Sequence, residues 1–139
     1  MINPASNEII RLSFPVNAAY VSSARLTSSS VANRLRFDID EIEDIKSAVS
    51  EACAYIIKAM AASVAGNFEI SFMPRKDEMH VVISAKGRWA KPEASDSNEM
   101  SLMMISALVD EFDIDTAQPD CLTITMLKKH RVTVFERSI

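Results

Sequence analysis

Cysteine and histidine are the residue types here best suited to nucleophilic, redox or metal chemistry, and both are few. The 139 residues contain Cys53, Cys121, His80 and His130 and no further cysteine or histidine. Zinc sites place such ligands in close pairs, and a disulfide scaffold needs more than two cysteines. Because the four residues lie far apart along the chain, the sequence predicts no metal site. We expect both thiols to be reduced and buried, and we assign the histidines no role.

Phosphate-binding loops are commonly rich in glycine, and this chain has few glycines. Glycine-rich loops cradle phosphates because their N–H groups converge where side chains would block the approach. The chain has two glycines, Gly66 and Gly87. A glycine-rich phosphate loop is therefore excluded along the whole sequence.

Size and charge exclude several classes of function. The chain carries 15 Lys plus Arg against 19 Asp plus Glu, for a net charge of -4, and no stretch gathers the basic residues into a nucleic-acid patch. No apolar run reaches the roughly 20 residues of a membrane span, and the start MINPASNEII lacks the pattern of a signal peptide. We expect a single cytoplasmic domain over residues 1–139, with its core at about 8–128 and no direct contact with nucleic acid or membrane.

The first half of the chain predicts a strand and two helices. A strand is expected over 8–14, ending at Pro15, and a helix over 18–36. The second helix begins at a cap provided by Asp38 or Asp40. Its core-facing stripe has the helical spacing of three and four and comprises Ile42, Ile45, Val49, Ala52, Cys53, Ile56 and Met60.

The second half predicts a hairpin, a helix and two closing strands. NFEISFM and MHVVISA flank the turn-like PRKDE, a polar loop follows from Lys86 to Asn98, and a helix is expected over about 97–110. Strands are expected over 111–116 and 121–127, and the tail over 128–139 either adds a short strand or remains mobile. This order predicts an α+β fold, a two-layer sandwich in which three helices cover one face of a mixed, mostly antiparallel sheet.

The segment from Tyr20 to Cys53 carries a resemblance to a known family. YVSSARLTSSSVANRLRFDIDEIEDIKSAVSEAC resembles the N-terminal half of RsbW-type anti-sigma-factor serine/threonine kinases of the histidine-kinase-like ATPase (GHKL) superfamily, which have the Bergerat fold. LVDEFDI at 108–114 and CLTITMLK at 121–128 continue the family's order of elements. The resemblance implies ATP and Mg²⁺ under a flexible lid and phosphorylation of a serine on an anti-anti-sigma (STAS-type) protein. It also implies inhibition of a sigma factor, usually by a homodimer.

The helix motif of that family is only half present. Glu51 matches the family's general base, whereas Tyr55 stands four residues on, where the family has the Asn that holds Mg²⁺. A phenol is a poor Mg²⁺ ligand near neutral pH because its pKa lies about six units above that of Asp. We expect Glu51 to be a vestigial, solvated carboxylate. Tyr55 either plugs the former pocket or is an ordinary surface aromatic.

The two glycine-containing motifs also depart from the family pattern. In SAKGRW, Gly87 is kept, but Ala85 replaces the Asp that reads adenine. Asn98, Glu99 and Ser101 replace glycines of the phosphate cradle, and Glu99 adds a negative charge beside the expected triphosphate. These departures from the family pattern therefore predict no bound cofactor and no metal.

Other residues of interest leave alternatives open. Arg25, in ARLT, matches a family arginine that contacts both partners, or else it is an exposed helix arginine. The serines at 28–30 are either phosphorylated or small packing residues. The methionines of the third helix either form an adaptable partner surface or, as we expect, pack into the core and on the side of the lid; they are Met100, Met103 and Met104.

Three functions follow from these observations. The first is a regulatory pseudokinase of the anti-sigma type that binds a sigma factor or an anti-anti-sigma protein without phosphorylating it. The second is an active serine kinase with an atypical site. The third is a small-molecule sensor that uses the vestigial pocket, for which we expect an apolar cavity beside Tyr55.

Overall fold

The computed structural model describes residues 7–61, 66–92 and 96–131. The tail over 132–139, for which a strand or mobility was expected, lies outside the described residues. The helices and strands, in chain order, are β1 (Ile10–Pro15), a short 3-10 helix (Ala18–Tyr20), α1 (Val21–Ala32), α2 (Ile39–Ala59), β2 (Asn67–Arg75), β3 (Glu78–Lys86), α3 (Asp96–Leu108), β4 (Glu111–Gln118) and β5 (Cys121–Lys129).

The five strands form one sheet in the order β1-β2-β3-β5-β4. Each neighbouring pair is antiparallel, so the sheet is uniform where the sequence predicted a mixed one. Along β2, β3 and most of β5, buried residues alternate with more exposed ones, because successive side chains of a strand point to opposite faces. One face of the sheet is therefore packed and the other is open, and the predicted α+β fold is confirmed.

The helix α2 lies at the centre of the packed layer. It packs against α1 and α3, and it also contacts β3 and β5. The predicted stripe is confirmed, since its members from Ile45 to Met60 are buried and Ile42 packs against them. Among the described residues, no helix combines the length and the apolar character that crossing a bilayer requires.

The first helix is shorter than predicted. Its first turn is a separate 3-10 helix, whose start is capped where the Asn17 side chain accepts a hydrogen bond from the Ala19 N–H at 2.9 Å. At its other end, Arg34 and Leu35 donate to carbonyls three residues earlier, which tightens the chain into turns after Ala32. The single helix expected over 18–36 is therefore divided into the 3-10 helix, α1 and the turns that follow Ala32.

The start of α2 is anchored by a buried carboxylate. Asp38 is the cap, as one of the two predicted alternatives: its side chain accepts from the Glu41 N–H at 2.8 Å, and Glu41 Oε1 accepts from the Asp38 N–H at 2.9 Å. Glu41 is fully buried, with its Oε1 2.9 Å from His130 Nδ1, and its Oε2 accepts from the Arg131 N–H at 2.8 Å. His130, to which the sequence assigned no role, thus has a structural one. This pair ties the chain after β5 to the start of α2.

Replacing the buried carboxylate should destabilise the fold far more than replacing an exposed one nearby. Glu41→Ala is expected to lower the free energy of unfolding by roughly 3 kcal/mol, because His130 and the N–H groups of Asp38 and Arg131 lose their acceptor. Glu43→Ala is the matched control: Glu43 is exposed and pairs with Lys46 at 3.1 Å, an interaction worth roughly 0.5 kcal/mol. Urea denaturation measures both. Equal losses for the two variants would contradict the anchoring role of Glu41.

Candidate functional site

The helix α2 carries the two residues aligned with the family's helix motif. Glu51 is partly exposed, and it forms no ion pair with another residue in the described ranges. Tyr55 is 7% exposed and belongs to the core, so the alternative of a surface aromatic is wrong. Burial raises the pKa of the Tyr55 hydroxyl above its ordinary value. The phenol therefore stays protonated near neutral pH and offers no anionic oxygen to a metal ion.

The burial of Tyr55 has a signal in the sequence that the predicted stripe did not use. Ala48, Ala52, Tyr55 and Ala59 follow one another at spacings of four, three and four, and each is buried. Ala52 already belongs to the predicted stripe, and the other three widen the packed face of α2 beside it. Since alanines are weak markers of burial, this second row was overlooked.

The end of β3 holds the second aligned pair. Ala85 is buried and lies in the sheet between Phe68 of β2 and Leu122 of β5. Gly87 has φ 132°, a conformation that favours glycine, and its N–H donates to the Asp120 carbonyl at 2.8 Å. Gly87 therefore has a local structural reason to be glycine, independent of any nucleotide.

The chain after β3 is held against the end of α2. The Trp89 ring N–H donates to the Gln118 carbonyl at 2.8 Å, and the Ala90 N–H donates to the Ala59 carbonyl at 3.0 Å. Trp89 is partly buried against the core. The sequence analysis placed this segment in a polar loop and missed Trp89, although a single tryptophan in a polar stretch is itself a sign of an anchor.

The start of α3 is linked to α2 by a side-chain hydrogen bond. Lys58 Nζ donates to Asn98 Oδ1 at 2.9 Å. Ser101 is partly buried, whereas Glu99 is exposed, so water and salt screen the charge of Glu99. With Tyr55 one turn before Lys58, and with the chain after β3 held at Ala59, the three aligned stretches meet around the C-terminal half of α2.

These side chains do not supply the ligands that Mg²⁺ and a triphosphate need. The Tyr55 phenol and the buried methyl group of Ala85 stand where the resemblance leads us to expect the metal ligand and the adenine acceptor. The described residues also contain no group of three or more His, Cys, Asp or Glu side chains arranged to hold a metal ion. We therefore derive no chemical step through a nucleotide at this position.

Two open grooves lie elsewhere on the described surface. One of about 660 Å³ is lined by residues that include Val16, Ile57 and Met60, and one of about 440 Å³ lies between the start of β1 and α1. Tyr55, Ala85 and Gly87 line neither groove. The apolar cavity that small-molecule sensing predicts beside Tyr55 is not one of them.

Arg25 connects α1 to α2 rather than extending freely into solvent. Its Nη1 donates to Ser50 Oγ at 2.7 Å and to the Lys46 carbonyl at 3.4 Å, and the side chain is half-buried. Within the described ranges, its Nε and Nη2 have no hydrogen-bond partner. The neighbouring Leu26 is 71% exposed. The guanidinium is thus held in place, and its Nε and Nη2 can still donate hydrogen bonds to a binding partner.

Burial bears on two further expectations, one for Ser28 and one for the cysteines. Ser28 is fully buried and its hydroxyl donates to the Arg25 carbonyl at 2.7 Å, which favours packing over phosphorylation at that position. Both cysteines are free, and Cys53 is buried, which raises the pKa of its thiol to about 12. Cys121 is partly exposed, so the expectation that both thiols are buried was wrong for Cys121.

The methionines of α3 are exposed rather than packed into the core. Met100, Met103 and Met104 have exposed fractions of 58%, 70% and 42%. The preferred interpretation of the sequence, core packing, was therefore wrong, because α3 buries Ile105 on its opposite side.

Comparison with known proteins places this geometry in context. A family model for the histidine kinase-like ATPase domain matches residues 14–128. The serine-protein kinases RsbW of Bacillus cereus (strain Q1) and Bacillus thuringiensis subsp. konkukian (strain 97-27) are each 31% identical over 137 residues, covering 87% of this chain and 84% of the relative. The solved RsbU and RsbW domains of Rv1364c from Mycobacterium tuberculosis share the fold at a TM-score of 0.68 and 16% identity, over 91% of this chain and 35% of that one.

Substitutions at Tyr55 should separate the role of its ring from that of its hydroxyl. Tyr55→Phe is expected to change the free energy of unfolding by less than about 0.5 kcal/mol, because the hydroxyl has no hydrogen-bond partner among the described residues. Tyr55→Asn, which restores the family's residue, is expected to cost roughly 3 kcal/mol through the lost ring and the buried amide. Chemical denaturation measures both, and a fully stable Tyr55→Asn would contradict the placement of the ring in the core.

Proposed function

This chain belongs to the family of histidine kinase-like ATPase domains, and we propose that it is an anti-sigma-type regulatory protein that binds protein partners without kinase activity. The partner is a sigma factor or an anti-anti-sigma protein of the STAS type. Regulation then depends on the concentration of the partner rather than on its phosphorylation. The observation that carries this proposal is the burial of the Tyr55 ring at the position where the resemblance leads us to expect the Mg²⁺ ligand.

The energetic argument against kinase activity is cumulative. One missing polar contact costs roughly 1–3 kcal/mol, which an ATP site can tolerate. Here the metal ligand, the adenine acceptor and the glycine cradle are all replaced, so the affinity for ATP falls by roughly 10²–10⁶-fold. Glu51 alone has no metal-bound phosphate to act on.

The chemistry around α1 supports binding of an acidic protein surface. From Ile9 to Phe37 the sequence has four arginines and no Asp or Glu. Arg25 is the best placed of them, because two hydrogen bonds to α2 fix its guanidinium while its Nε and Nη2 remain able to hold a carboxylate. The exposed Leu26 beside it adds apolar area of the kind found in interface cores.

The remaining parts of the proposal concern assembly and location. We infer a homodimer through β1 and α1, supported by the position of β1 at an edge of the sheet, where one side of the strand pairs with no other described strand. We also infer a cytoplasmic protein that forms one domain over 1–139, with its core at about 8–128.

The first test of the proposal is whether Mg²⁺-ATP stabilises the folded protein. A ligand selective for the folded state at 100 times its Kd adds about 2.7 kcal/mol and raises the Tm. We expect no Tm change for this chain at millimolar Mg²⁺-ATP, and a clear rise for the RsbW of Bacillus cereus as a matched control. A comparable rise for this chain, with phosphate transfer to a serine, would support an active kinase instead.

The second test concerns the arginine on α1. Arg25→Glu is expected to weaken capture of sigma factors or anti-anti-sigma proteins from the native cytoplasm by roughly 30-fold, the effect of losing an interface hot spot. Lys76→Glu, a charge reversal in the exposed turn between β2 and β3, should leave capture unchanged. Thermal unfolding checks that Arg25→Glu remains folded. If Arg25→Glu and Lys76→Glu capture these proteins equally well, the partner binds at a surface that does not include Arg25.

A further inference from the structure

The helix α3 presents an apolar face to solvent that nothing in the proposed function uses. At 100° per residue, positions 100, 103, 104 and 107 fall within one arc of about a quarter turn. We call this arc, formed by Met100, Met103, Met104 and Ala107, the methionine face. It lies opposite the fully buried Ile105, and each of its members is exposed.

This exposure is unusual because α3 is apolar on both sides. Its inner side packs through Leu102, Ile105 and Leu108, and its outer side is the methionine face. A helix that is hydrophobic all round is normally covered all round, whereas α2 covers one side of α3. Contiguous exposed apolar patches on soluble proteins commonly mark sites of interaction.

The charges around the methionine face have one sign. Between residues 96 and 115 the sequence has six acidic residues and no Lys or Arg. Glu99 is exposed at the N-terminal end of the face and Asp110 at the C-terminal end. Three lysines of the described residues near α3 are engaged: Lys58 donates to Asn98, Lys128 donates to the Leu108 carbonyl at 2.7 Å, and Lys129 pairs with Glu111 at 3.8 Å.

We propose that the methionine face docks a basic amphipathic helix of a partner protein. The spacing of the face matches that of the anchors in helix-in-groove recognition, and unbranched methionines adapt to the shape of apolar anchors. Lys or Arg on the polar side of the incoming helix meets Glu99 and Asp110. A second copy of this chain fits poorly, because α3 packed on α3 sets Glu99 against Glu99 or against Asp110 in either direction.

The methionine face goes beyond the partner surface proposed on α1. The helix α2 packs against both α1 and α3, and Arg25 and the methionine face belong to these two different helices. Variants at one surface leave the other unchanged, so failure here and failure of the proposed function can be told apart.

The test uses synthetic peptides about four helical turns long, built from leucine and lysine with the leucines on one face. Methionine methyl NMR follows their binding to the full chain. We expect binding that shifts the signals of Met100, Met103 and Met104 and weakens as salt is added. Replacing these three with Gln should lower the affinity at least tenfold, and Glu99→Lys with Asp110→Lys should lower it as well. Leu26→Gln, on the exposed surface of α1, is the matched control and should bind as the wild type does.

Four results would overturn the proposal. The first is equal binding of a scrambled leucine–lysine peptide or of a leucine–glutamate peptide. The second is undiminished binding by the triple Gln variant. The third is that the wild type sediments as a dimer and the triple Gln variant as a monomer. The methionine face would then bind a second copy of this chain. The fourth is a marked gain in affinity when the chain ends at Arg131, which makes the segment 132–139 the occupant.

Discussion

The structure depends on the burial of one broad face of α2 between α1, α3 and the sheet. That face includes Tyr55. The volume that the Tyr55 ring fills in the core cannot also be an open ligand pocket. Burying a large apolar side chain contributes roughly 1.5–3 kcal/mol to the stability of the fold. The packed ring of Tyr55, at the position where the resemblance leads us to expect a metal-binding amide, therefore bears on stability and on ligand chemistry at once. Glu41 holds the other end of α2 through the chain that follows β5, so both ends of the helix are fixed.

A fixed α2 makes the helices on either side of it suitable for recognition. On α1, hydrogen bonds to Ser50 and Lys46 orient Arg25 before any partner arrives, which lowers the entropy lost on binding. On α3, the methionine face carries no such constraint and can adapt. The two surfaces thus differ in charge and in rigidity. A family scaffold without its usual ligand chemistry remains useful as a rigid holder of such surfaces, and we interpret this chain in that way.

Local patterns predicted most of the fold, and long-range contacts decided what they missed. The stripe of α2, the Asp38 cap and the β2–β3 hairpin were predictable because each depends on residues within a few positions of one another. Glu41 and His130 are 89 residues apart, and Trp89 meets a carbonyl at Gln118, so no pattern in the sequence joins them. Periodicity also could not assign the sides of α3, because both are apolar. At the candidate site, the resemblance identified the replaced positions, while the burial of Tyr55 emerged only from the packing of the alanine row beside it.

The most direct measurement is a titration of isotope-labelled protein with Mg²⁺-ATP, followed through the amide resonances of Tyr55, Gly87 and Asn98. These residues report on α2, the end of β3 and the start of α3, the three stretches that must surround a nucleotide. The account predicts that their resonances stay in place up to millimolar Mg²⁺-ATP. Saturable shifts at all three, lost when Mg²⁺ is removed, would contradict it.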